Sequence, residues 1–293
     1  MSRLLEGRVA IVTGAGRGIG RAHALELAAH GAKVVVNDYG VSLSGEGTGE
    51  SPAQEVVDLI RSSGGEAVAN GADVADFADA EAMVRQAINA FGGLDILVNN
   101  AGFVRDRMLV NTSEDEWDAV IRVHLKGHFA PLRHAGAYWR SEAKEGRRRA
   151  ARVINTSSGA GLQGSVGQAT YSAAKAGIAG LTLVAAQELG RYGVTVNAIA
   201  PVARTRMTES AFDTGAMPEP ADNSPIVAWL ASEEAGDVTG RVIEIEGGTI
   251  TVENGWAHGP SRDAGGRWEA AKVGPALREM FAEAPAPEPV YGA

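Results

Sequence analysis

A serine, a tyrosine and a lysine share one glycine- and alanine-rich stretch, SGAGLQGSVGQATYSAAK, as Ser158, Tyr171 and Lys175. The serine precedes the tyrosine by thirteen residues and the lysine follows it by four. The segment after Tyr171 (SAAKAGIAGLTLVAAQEL) is rich in alanine and leucine, and no proline follows until Pro201, so it reads as a helix. Positions i and i+4 share a helix face, which brings the phenol and the ammonium into one space. A neighbouring ammonium favours the phenolate and draws a tyrosine pKa below about 10. A phenol so tuned takes a proton from an alcohol near neutral pH, and a serine hydroxyl can hold the reacting oxygen. These three are catalytic candidates.

The N-terminal segment has the form of a dinucleotide site. Arg8 to Thr13 (RVAIVT) reads as a buried strand, and a glycine turn follows, Gly14-Ala15-Gly16-Arg17-Gly18-Ile19-Gly20. An alanine-rich helix runs from there to about His30, and a second strand, Lys33 to Asn37, ends in Asp38. Strand, glycine turn, helix, strand and acid form the context in which glycines let backbone approach a pyrophosphate. The helix N-terminus favours its negative charge. Gly14, Arg17, Gly18, Ile19 and Gly20 are therefore cofactor-binding candidates. Asp38 lies eighteen residues beyond Gly20, where it suits the adenosine ribose hydroxyls. Its carboxylate would repel a 2′-phosphate, whereas Arg17 would attract one. The carboxylate is the closer and more direct of the two, so NAD is the expected cofactor.

Strand and helix patterns continue to alternate. Helices are expected at Gln54–Ser63, Phe77–Phe91 and Ala221–Ser232, and strands at Glu66–Asn70, Leu94–Val98, Val153–Thr156, Val194–Ile199 and Arg241–Glu246. Residues 39–52 read as a polar loop. Ser113, with Glu116 at the capping-box position, opens a long helix from about Glu114 to Arg140. The basic run KEGRRRAAR (144–152) leads into a strand, so it falls at the N-terminal edge of the sheet, away from the ligand edge, and reads as a solvated charge run. The tail after residue 250 carries a helix near Pro275–Ala284 and ends in APAPEPVYGA, expected to be disordered.

Composition narrows the function. Apolar residues make up 45% of the 293, enough for a real core, yet no run approaches a membrane span. The N-terminus lacks the pattern of a secretory signal, and the last residues are no peroxisomal address. The absence of cysteine excludes disulfides, thiolate metal sites and cysteine nucleophiles, and fits a cytoplasmic protein. A net charge of −9 argues against a nucleic-acid surface. No metal site, nucleic acid or membrane partner is expected.

Three ordered motifs, Thr13-Gly14-x-x-x-Gly18-Ile19-Gly20, Asn99-Asn100-Ala101-Gly102 and Ser158 followed by Tyr171-x-x-x-Lys175, resemble the short-chain dehydrogenase/reductase family over residues 6 to 250 or so. The resemblance implies an α/β, Rossmann-like, doubly wound parallel sheet of seven strands in the order 3-2-1-4-5-6-7. This would be one catalytic domain (1–250) with a C-terminal extension (251–293). It implies that Tyr171 is the general acid/base, that Ser158 orients the substrate oxygen, and that Lys175 tunes Tyr171 and holds the nicotinamide ribose. It places Asp73 and Val74 by the adenine, and Asn100, Ala101, Gly102 and Pro201 beside the cofactor. Thr205 or Thr208 would supply a further hydroxyl, and spacing does not choose between them. The family's relay asparagine is replaced by His124, and the glycine after Pro201 by Val202.

N-D-Y-G, V-R-D-R-M, W-D-A-V-I-R-V-H-L-K-G, G-Q-A-T-Y-S-A-A-K and A-R-T-R-M-T resemble, more closely, the dehydrogenase region of the peroxisomal multifunctional enzymes of type 2. That resemblance implies a secondary alcohol or ketone substrate: a 3-hydroxyacyl-CoA or a hydroxysteroid. An NADPH-dependent reductase of 3-oxoacyl thioesters and a non-catalytic NAD-binding scaffold are the alternatives. The small residues Ala173, Ala174, Gly177 and Gly180 on the Tyr171 helix permit close packing, and the family's habit implies a homodimer or homotetramer.

Overall fold

β1 (Val9–Thr13) sends Ala10 and Val12 to one face of a sheet and Val9 and Ile11 to the other. β2 (Lys33–Asn37) repeats the pattern, with Val34 and Val36 on the first face and Val35 on the second. Alternate residues of a strand point to opposite faces, so a strand apolar throughout must be covered on both. In the computed structural model, which describes residues 3–40, 52–204 and 217–291, helices provide that cover. The expected loop at 39–52 lies almost wholly outside the described residues.

The first face is covered by α1 (Gly18–Ala29), α2 (Pro52–Ser62) and α8 (Ser224–Leu230), which contribute Leu27, Val56, Ile60 and Val227. The second is covered by α3 (Phe77–Phe91), α5 (Gly127–Lys144) and α7 (Ala169–Gly190), which contribute Met83, Leu132, Trp139 and Ala185. Between them β3 (Ala67–Asn70), β2, β1, β4 (Ile96–Asn99), β5 (Arg152–Thr156), β6 (Thr195–Val202) and β7 (Val242–Glu246) lie in that order, all parallel. This is the expected doubly wound sheet. An eighth strand, β8 (Thr249–Glu253), extends it antiparallel to β7. The hairpin turns at Gly247, whose φ is +56°, and the β-branched run TITVE follows at once.

The long central helix is interrupted. The Ser113–Glu116 capping box starts α4 (Glu114–Ile121) as expected. Residues Arg122–Lys126 then form one wide π turn, in which the Gly127 amide reaches back five residues to the Arg122 carbonyl. α5 continues beyond Arg140 to Lys144. The wide turn carries His124. At the opposite edge of the sheet the basic run is less solvated than expected. Arg149 Nη1 pairs with Asp95 Oδ1 at 2.9 Å, and buried Arg152 donates to the Ser232 carbonyl at 2.8 Å. The side-chain stems pack where β5 enters the sheet; Asp95 matches the charge of Arg149, and backbone carbonyls of Ser232 and Ala151 hold Arg152.

Candidate active site

Parallel strands put all their C-terminal ends on one edge. There the chain forms a cleft of about 720 Å³. One end is built by the glycine loop. Gly14 has φ +61°, and a Cβ on Gly20 would stand 2.2 Å from the Gly14 carbonyl oxygen, so only glycines allow this turn. Asn100 fixes the loop from β4: its Nδ2 donates to the carbonyls of Thr13 (2.9 Å) and Gly14 (3.2 Å). The amides of Asn100 and Ala101 donate to Thr13 Oγ1. Neighbouring Asn99 points into the core and donates to Asn155 Oδ1, tying β4 to β5. α1 then starts with no side-chain cap and no acid in its first turn, and Gly18, Ile19 and Gly20 line the cleft. The first-turn amides, which no side chain caps, suit a pyrophosphate.

Asp38 stands just past β2 on the same rim. Its Oδ2 accepts from the Gly16 amide (3.0 Å) and its Oδ1 from the Gly40 amide (2.9 Å), which locks the carboxylate against the loop that carries Arg17. Asp73 and Val74 also line the cleft. Asp73 is held by the Ala75 amide and by Arg122 of the π turn. Gly102 and Pro201 complete the wall. Thr205 and Thr208 lie outside the described residues. A carboxylate at a strand end, uncapped helix amides and close-packed glycines together fit a dinucleotide.

The other end of the cleft holds the titratable groups. Ser158 follows β5 and caps the short helix α6 (Gly159–Gln163), its Oγ accepting from the Ala160 amide at 3.2 Å. Tyr171 and Lys175 occupy the first turns of α7, and the Lys175 Nζ lies 5.4 Å from the phenol ring centroid. The spacing thus brings all three into one space. The electrostatics differ from expectation. Burial pushes the Tyr171 phenol above its ordinary pKa, the hydrogen bond with Ser158 opposes that shift, and Asp106 adds to it. Lys175 is itself buried and pushed down to about 7. Its Nζ donates to the Thr156 carbonyl at 2.7 Å and lies over the ring rather than at the phenol oxygen. In this arrangement desolvation sets the direction of the Tyr171 shift.

His124 is also buried here. Its Nε2 is 2.6 Å from the Phe103 carbonyl oxygen, and burial with the nearby Lys175 charge pushes its pKa down to about 3. The ring is therefore neutral, and both the Phe103 carbonyl (2.6 Å) and the Phe103 amide (3.1 Å) meet it at Nε2. Its Nδ1 is buried and has no hydrogen-bond partner among the described residues.

Among the lining residues that sequence reasoning does not mark, Glu244 and Tyr291 stand at the chemical end. Glu244 sits on β7 between buried Ile243 and Ile245, and a carboxylate inside a core strand was the available signal. Tyr291 comes from the tail, and its backbone bridges to Ser165 in the loop before α7. No local pattern marks such a contact.

A family model described as short chain dehydrogenase matches residues 8–215. Over 95% of its length the chain is 47% identical to the hydroxyacyl-CoA dehydrogenase ChsB1 of Mycobacterium tuberculosis, covering 90% of that protein. Over 84% of its length it is 46% identical to the peroxisomal multifunctional enzyme type 2 of Drosophila melanogaster, of which it spans 40%. A crystal structure of a short chain dehydrogenase from Mycobacterium avium superposes with a TM-score of 0.91 at 61% identity, covering 99% of this chain and all of the other. The protein is an oxidoreductase that acts on CH–OH groups with a nicotinamide cofactor, NAD or NADP, and the chain belongs to the short chain dehydrogenase family.

Proposed function

We propose that the protein oxidises the 3-hydroxyl of 3-hydroxyacyl-CoA thioesters, or the hydroxyl of a hydroxysteroid, with NAD. The observation that carries this reading is the convergence of Ser158, Tyr171 and Lys175 on the cleft that also holds the glycine loop. The likeness to proteins named for hydroxyacyl-CoA dehydrogenation supports the substrate class.

Bound in the cleft, the nicotinamide supplies the hydride acceptor for the carbinol hydrogen. Tyr171 takes the hydroxyl proton as the C–H bond breaks. Ser158 donates to the substrate oxygen and holds it within reach of the phenol. Lys175, over the phenol ring, would hold the nicotinamide ribose and favour the phenolate when charged. His124 supports the phenol from the side and, with its Nδ1 unpartnered among the described residues, takes the place of the family's asparagine in a proton relay. Asp38, fixed by two amides, holds the adenosine ribose and repels a 2′-phosphate, which selects NAD.

The enzyme works as a homo-oligomer in the cytoplasm. On the outer side of α7, Leu183 and Val184 are exposed and Gly180 faces open space. Gly177 and Ala174 are taken up within the subunit, Gly177 against Leu125. Light scattering on the purified protein tests the assembly. A panel of NAD and NADP with both stereoisomers of several 3-hydroxyacyl-CoAs, and with 17-hydroxysteroids, tests the activity. A clear preference for NADPH with 3-oxoacyl thioesters would contradict the cofactor assignment. Binding of NAD without turnover of any alcohol would leave a scaffold.

A further inference from the structure

Tyr291, in the C-terminal tail, returns to the chemical end of the cleft. The Tyr291 amide donates to the Gly164 carbonyl (3.2 Å), and the Tyr291 carbonyl accepts from the Val166 amide (2.9 Å). These bonds make one isolated parallel bridge, Ser165 to Tyr291, between the tail and the loop that joins Ser158 to Tyr171. The Tyr291 hydroxyl donates to Glu244 Oε1 at 3.4 Å. A Cβ on Gly159, the residue after Ser158, would lie 2.6 Å from the Tyr291 hydroxyl and 3.0 Å from Glu244 Oε1. Ring and carboxylate therefore rest directly on the backbone that carries the candidate serine. Burial and the neighbouring Glu253 and Glu246 push the Glu244 carboxyl above its ordinary pKa. A half-buried acid on a core strand is costly, and here it serves as the anchor for the phenol.

We propose that Tyr291, anchored on Glu244, is a specificity-determining residue. It forms the outer wall of the substrate end of the cleft and limits the bulk a substrate carries beyond its carbinol. Glu244 and Glu246 make this end acidic, so the part of the substrate against Tyr291 is an uncharged acyl or ring portion, and any phosphate-bearing portion leaves by another side. This inference rests on the oxidation of secondary alcohols proposed above.

The test compares wild type, Tyr291→Ala, Glu244→Gln and a chain ending at Glu288. Substrates are a short-chain and a ring-bearing 3-hydroxyacyl thioester. Tyr291→Ala and the truncation raise the ratio of kcat/KM for the bulky over the short substrate by about tenfold, chiefly through KM. Glu244→Gln keeps an acceptor for the phenol and retains the wild-type ratio. The Kd for NADH stays within about twofold, because the dinucleotide end is untouched. Amide hydrogen exchange at Val166, slow in the full chain and fast in the truncation, reports the wall without any turnover. If wild type oxidises neither thioester, the substrate reading fails while Val166 exchange still judges the wall. An unchanged ratio in both Tyr291→Ala and the truncation, or equal Val166 exchange with and without the tail, overturns the proposal.

Discussion

The imidazole of His124 stands edge-on to the phenol of Tyr171, with ring centroids 5.2 Å apart and planes at 89°. A wide turn in the helix aims the imidazole there, and the Phe103 carbonyl holds it. Replacing His124 by Leu removes that bond and the polar support beside the phenol. We expect kcat to fall about 10- to 100-fold and stability by about 1–3 kcal/mol. NAD affinity should be unchanged. Steady-state kinetics, thermal unfolding and dinucleotide titration measure the three. A His124→Leu enzyme with wild-type kcat would remove the residue from the reaction.

Tyr171 must be a phenolate to take a proton and a phenol to give one. Because burial raises its pKa, the reactive base fraction grows with pH across the neutral and mildly alkaline range. Alcohol oxidation should therefore quicken as pH rises, and ketone reduction should be level near neutrality and fall in alkali. Lys175→Ala should lower kcat for oxidation by about 100-fold or more and move the oxidation limb to higher pH. A pH-independent oxidation rate would contradict this.

Asp38 faces the glycine loop through two amide bonds, so its charge is fixed where a ribose would sit. Asp38→Asn keeps the shape and removes the charge. The NADP-to-NAD ratio of kcat/KM should rise about tenfold or more, the equivalent of about 1.4 kcal/mol of relieved repulsion. Parallel assays with both cofactors decide it, and an unmoved ratio would return Arg17 to contention.

Stability should fall in acid for a reason unrelated to catalysis. His23 is fully buried, accepts or donates to Ser224 Oγ at 2.9 Å between α1 and α8, and is pushed down to about 3 by desolvation. The unfolded chain binds this proton near pH 6.5 and the folded chain does not, so stability is full above that value and is lost as pH falls toward about 3. Each such group contributes a slope of up to about 1.4 kcal/mol per pH unit. Urea midpoints between neutrality and about pH 4.5 measure the loss, and His23→Gln should flatten it.

The parts of the fold legible in the sequence were those fixed by local pattern. β1 and β2 alternate across two apolar faces, and the glycine turn needs conformations that only glycine takes cheaply. Phe77–Phe91 ends at Gly92 in the left-handed region, a stop written in the chain. Ser113 and Glu116 likewise announced their helix. The π turn around His124 is not a local preference, since its residues read as ordinary helix. The Tyr171 pKa depends on burial, which spacing cannot supply. Tyr291 reaches Glu244 across 47 residues of chain, and the Pro- and Ala-rich composition of the tail resembles disorder until its backbone finds the Gly164–Val166 loop.

NADH formation by purified wild type and Tyr171→Phe, with NAD and a stereoisomerically pure 3-hydroxyacyl-CoA or 17-hydroxysteroid, is the most direct test of the chemistry assigned to this cleft. Wild type should form NADH with one stereoisomer, and Tyr171→Phe should lose about 1,000-fold in kcat while binding NAD as before. A Tyr171→Phe enzyme that forms NADH at the wild-type rate would contradict the assignment of Tyr171 as the proton acceptor.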